Sequence, residues 1–153
     1  MLKKIRVKTH IGSRFFSEIK DKEIQQEFSL DSAGNVSLTS IIFGGFDLEE
    51  GSRKINKHID TKTAEAILND VLNYFENNEP ALALDGDTYY FTMYYDSGKK
   101  KEIFGSASCA PKELSSLCDK IRNIVRIENL YLFDTYSFEE HDEPDFSEME
   151  LDL

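Results

Sequence analysis

The sequence predicts an α+β fold, a two-layer sandwich in which a mainly antiparallel sheet of about five or six strands carries two amphipathic helices on one face. Three observations predict it. Short segments with period-2 alternation are joined by turn residues close enough for antiparallel neighbours. Two longer segments carry a one-sided apolar stripe of helical period. The chain has 153 residues, 40% of them hydrophobic, enough for one core and too few for two.

The elements follow in order. Ile5, Val7 and Thr9 alternate with Arg6 and Lys8, the pattern of a half-buried strand. Ile24, Gln26, Phe28 and Leu30 alternate with charged and polar residues, and Asp31-Ser32-Ala33-Gly34-Asn35 supplies a turn into Val36 and the run beyond it. This reads as a hairpin, and residues 53–59 form a further candidate strand. Ala64, Ile67, Leu68, Val71, Leu72 and Phe75 then fall on one face of a helix capped by Asp60 and stopped by Asn77, Asn78 and Pro80.

Residues 88–95 are strongly β-prone, with Tyr89, Phe91, Met93 and Tyr95 on one face and Thr88, Tyr90, Thr92 and Tyr94 on the other. Asp96-Ser97-Gly98-Lys99 turns the chain into a partner strand over residues 100–106. Pro111 opens a second helix, whose stripe is Leu114, Leu117, Cys118, Ile121, Ile124 and Val125. Leu130, Tyr131, Leu132 and Phe133 are too apolar for a free linker, so this segment is expected to pack back onto the body. Residues 85–125 resemble a pattern found in small uncharacterised proteins of Gram-positive bacteria: an aromatic strand, the Asp-Ser-Gly-Lys turn, a returning strand with Gly105, then Pro111 and the helix. The resemblance implies no functional residues.

Charge divides the chain. The net charge is -11, and residues 139–153 carry eight acids (Glu139, Glu140, Asp142, Glu143, Asp145, Glu148, Glu150, Asp152) with no Lys or Arg. The chain therefore reads as a single domain over residues 1–138 followed by an acidic C-terminal tail. Phe146, Met149, Leu151 and Leu153 interleave with the tail's acids, a pattern found in segments that dock onto basic partners. An acidic chain repels phosphate backbones, so direct nucleic-acid binding is not expected. No apolar stretch approaches the ~18 residues of a membrane span, and two cysteines without a signal segment fit a reducing cytoplasm.

Motif chemistry is sparse. Asp85-Gly86-Asp87 lacks the further ligands of a calcium loop and reads as a turn. Residues 105–108 precede a helix but lack a phosphate-loop pattern. Cys109 lies ahead of the second helix among small residues and is expected to be a buried structural thiol; Cys118 lies in the apolar stripe and reads as core. No metal site, cofactor site or catalytic set emerges. The expected function is a non-enzymatic protein-binding module, an inhibitor or immunity-type partner of a protein with a basic surface. Its expected contacts are Tyr90 and Tyr94 on the sheet, with Glu139, Glu140, Asp142, Glu143, Asp145, Phe146, Glu148, Met149, Glu150 and Leu151 in the tail. The sequence neighbours of the tyrosines are neutral or acidic, which favours protein over nucleic acid as the partner. Two alternatives are a small-molecule enzyme or sensor with Cys109 or His58 in a pocket between sheet and helices, and a housekeeping domain with a solubilising tail.

Overall fold

The computed structural model describes residues 1–10, 23–42, 53–82 and 86–134. Four strands come first, β1 (Leu2–His10), β2 (Glu23–Asp31), β3 (Asn35–Ile42) and β4 (Lys54–His58). Helix α1 (Thr61–Asn77), strands β5 (Thr88–Tyr95) and β6 (Lys100–Ser106) and helix α2 (Lys112–Val125) follow. The six strands form one sheet in the order β4-β3-β2-β1-β5-β6, and every neighbouring pair is antiparallel. The fold is the α+β architecture that the alternation and the two apolar stripes predict.

The strand order has one consequence that sequence proximity hides. The first four strands make a meander, so β4 becomes one edge of the sheet. The chain then crosses the sheet through α1 and adds β5 on the other side of β1. Residues about eighty positions apart, such as Lys8 and Tyr90, thereby become cross-strand partners.

One face of the sheet is the core. Ile5, Val7, Phe28, Leu30, Leu38, Phe91 and Met93 are completely buried there, each at an alternate position of its strand, as the pleat requires. Helix α1 lays Ala64, Ile67, Leu68, Val71 and Phe75 against them. Asp60 caps α1, its carboxylate accepting from the backbone N–H groups of Lys62 and Thr63 at 3.1 and 3.3 Å. At the other end the Asn77 and Asn78 side-chain amides donate back to the carbonyls of Asn73 and Tyr74 at 2.8 and 2.9 Å. Pro111 is the N-cap residue of α2, and Arg126 ends that helix in the left-handed conformation.

Residues 127–134 fold back over the end of the core, with Ile127, Leu130, Tyr131, Leu132 and Phe133 all buried. Phe133 packs between Phe75, Tyr89 and Phe91, with ring centroids 4.9, 5.2 and 4.8 Å away. Two polar residues on the core face serve this segment. Thr9 donates to the Leu132 carbonyl at 2.7 Å, and Gln26 exchanges hydrogen bonds with the Asn129 carbonyl and the Tyr131 N–H at 2.6 and 2.8 Å. Burial without a partner would cost each of them on the order of 1–3 kcal/mol; pairing to backbone makes them a fixed seam.

Candidate functional site

Both helices and the returning segment lie on the core face, and among the described residues no helix or loop covers the opposite face of the sheet. Its side chains are the alternate set: Lys4, Arg6 and Lys8 from β1, Glu27, Ser29 and Asp31 from β2, Tyr90, Thr92 and Tyr94 from β5, and Glu102 and Phe104 from β6. The registers arrange them in rows. Tyr90 stands between Lys8 and Phe104, Thr92 between Arg6 and Glu102, and Tyr94 between Lys4 and Lys100. The β1 residues pair on their far side with Asp31, Ser29 and Glu27.

The aromatic part of this face is exposed. Tyr90 is 60% and Phe104 42% exposed, and their rings lie 4.8 Å apart in a tilted pair. Lys4 Nζ and Arg6 Cζ lie 6.0 and 5.8 Å from the Tyr94 ring centroid, within reach of its negative face. A shallow hollow of about 500 Å³ lies beside Tyr90, lined by Arg6, Lys8, Glu27, Thr92 and Glu102 as well. The ring pair is open to solvent and bordered by Lys8, Thr92 and Glu102.

A second hollow on the same face, about 320 Å³, is mostly polar and touches Lys4, Ser29, Asp31, Asn35, Ser37 and Asn56, with Val36 as its apolar member. Several of its groups already satisfy one another. Ser29 and Ser37 share a hydrogen bond of 2.6 Å, and the Asp31 carboxylate accepts from the backbone N–H groups of Ala33 and Asn35 at 3.0 Å each. Burial raises the Asp31 pKa, but the Asn35 amide, these N–H groups and the Lys4 charge outweigh it and hold the carboxyl below its ordinary value.

The sequence-derived site residues divide sharply. Tyr90 and Tyr94 lie on the open face, with Tyr94 half-buried and Tyr90 exposed. The ten tail residues from Glu139 to Leu151 named above lie outside the described residues, as do Asp85 and residues 135–138. One expectation is corrected. Along the chain the neighbours of Tyr90 and Tyr94 are neutral or acidic, whereas across the strands they are Lys8 and Phe104, and Lys4 and Lys100. Sequence distance hid this, although the Lys4, Arg6, Lys8 alternation was itself a visible signal of a basic strand face.

Cys109 brings a second correction. The thiol is exposed rather than buried, because burial after β6 ends at Ala107 and the chain then turns outward before α2. Cys118 is buried in α2, and that burial pushes its thiol pKa far up, removing it as a nucleophile. His58 ends β4 at one edge of the sheet, and Cys109 follows β6 at the other. About five strand spacings, ~24 Å, separate the edges, so the two residues lie at separate places on the fold. Among the described residues no cluster of three or more His, Cys, Asp or Glu side chains could hold a metal ion, and no helix is long and apolar enough to cross a membrane. No family model matches the chain, and no curated protein matches it.

Proposed function

We propose that the chain is a non-enzymatic protein-binding module, an inhibitor or immunity-type partner of a protein with a basic surface, that uses the open sheet face and the acidic C-terminal segment. The observation that carries the reading is the exposed Tyr90–Phe104 pair at the β5–β6 end of the open sheet face. Exposed aromatic rings flanked by arginine and lysine supply the residue types that dominate binding energy in protein interfaces. The eight acids of residues 139–153 give the second contact its charge, and attraction of that kind steers encounter and selects partners.

The partner meets a surface of two characters. The ring pair supplies apolar area, and the cations around it supply directional contacts to carboxylates and carbonyls. The C-terminal segment supplies negative charge to a basic region. This is recognition without a reacting group.

The test is affinity capture with the immobilised full-length chain, with a Tyr90→Ser/Phe104→Ser variant, and with a variant whose eight C-terminal acids are replaced by their amides. The expected result is a basic protein that the full chain retains, that moderate salt weakens, and that each variant retains less well. Equal retention by all three chains would remove the reading.

A further inference from the structure

The basic character of the open face raises the question of what covers it, since a basic partner would meet the C-terminal segment more readily than this face. We propose that the open face is a docking site for an acidic polypeptide segment with interleaved apolar residues, and that in the isolated chain its occupant is residues 139–153. This rests on the reading of the open face as a docking surface.

Charge complementarity is the first argument. Lys4, Arg6 and Lys8 line up along β1 at the centre of the sheet, and Lys100 extends the row past Tyr94. Residues 139–153 hold eight of the chain's acids and no Lys or Arg. The second argument is the pattern. From Glu148 to Leu153 acids and apolar residues alternate strictly, Glu148, Glu150 and Asp152 against Met149, Leu151 and Leu153. In an extended segment Glu148, Glu150 and Asp152 share one side, at the same two-residue spacing as Lys4, Arg6 and Lys8 along β1. Carboxylates at that spacing suit a row of lysine and arginine side chains.

Reach is the third argument. Leu132 is hydrogen-bonded to Thr9, the residue after Lys8, so the last described turn of chain lies at that end of β1. Phe146 lies twelve positions after Asp134, an extended span of about 40 Å, enough to pass the end of the sheet. A continuous phosphate chain is less well served, because Glu27, Asp31 and Glu102 stand among the cations, while a polypeptide places its carboxylates at intervals. A basic partner would then compete with the sheet face for the same acidic segment.

The test is paramagnetic relaxation in the full-length chain, with a spin label on Ser147→Cys in a Cys109→Ser background; Cys118 is buried and stays unlabelled. The expected result is loss of amide intensity at Lys8, Thr92 and Phe104 but not along the exposed side of α1, reversed in about 1 M salt, where the Debye length is ~3 Å, and reversed by Arg6→Glu/Lys8→Glu. Intensity loss absent from the open face, or unchanged by the charge reversal, would overturn the proposal. So would an oligothymidine that binds the amide-substituted variant when a synthetic 139–153 peptide does not. No outside partner enters the measurement, so its failure leaves the capture experiment intact, and a failed capture leaves this result standing.

Discussion

Arg122 of α2 and Asp134 at the end of the returning segment form an ion pair buried on both sides, the arginine side chain 4% exposed and the aspartate 0%. The guanidinium also donates to the Leu130 carbonyl at 2.7 Å and to Asp119 at 2.9 Å. Burial alone would lower the Arg122 pKa, but the Asp134 carboxylate and its hydrogen bonds outweigh that and keep the cation charged. This one side chain ties residues 130–134 to α2, and with them the Phe133 ring that closes the aromatic cluster.

Arg122→Met is therefore expected to lower stability by about 3–5 kcal/mol, because it leaves a buried carboxylate without its cation. The double variant Arg122→Met/Asp134→Leu is expected to recover most of that loss, since an apolar pair of similar size needs no compensation. Urea denaturation of the three chains checks both statements, and a double variant no more stable than the single would contradict them.

Gly105 faces Tyr89 across the β5–β6 ladder, and a Cβ at this position would overlap the buried Tyr89 ring. Gly105→Ala is expected to cost about 1–3 kcal/mol by overpacking. The same urea midpoint measures it, and Gly98→Ala is no control for crowding, because Gly98 has a positive φ of 90° although a Cβ there has open space.

The turn between β2 and β3 supplies a pH signature. Asp31 is held below its ordinary pKa of 3.8 in the folded chain, so the stabilisation it gives is complete above that unfolded value and is lost as pH falls through the folded one. The stability gap between the natural chain and Asp31→Ala is expected to be constant near neutral pH and to close in acid below 3.8. A gap that widened in acid would contradict the assignment.

Thiol labelling separates the two cysteines. With native protein, iodoacetamide is expected to modify exposed Cys109 and to leave Cys118 untouched until denaturant is added. Mass spectrometry of the labelled chain checks this, and fast native labelling of Cys118 would show that α2 opens readily.

Much of the fold was legible because local rules and tertiary structure agree. The stripe from Ala64 to Phe75 and the Asp60 cap mark α1, and the turn at Asp96 to Lys99 marks the β5–β6 hairpin. Strand order was not legible. Nothing near Tyr90 in the chain announces Lys8, because their meeting depends on a crossover that local periodicity does not encode. Arg122 was hidden for a related reason: it lies beside Ile121 on the apolar side of α2, and its partner arrives only when residues 127–134 return. The site was half visible, since alternation put Tyr90 and Tyr94 on one face while their cationic surroundings required the register.

The central claim is that the open sheet face binds a protein. It is tested most directly by measuring retention of the captured partner on the natural chain, on Tyr90→Ser, and on a helix-side control, Glu65→Ser, at an exposed position of α1. The account predicts a loss of about 2 kcal/mol or more for Tyr90→Ser, the range of an interface hot spot, with Glu65→Ser unchanged. Undiminished retention by Tyr90→Ser, or a loss confined to Glu65→Ser, would contradict it.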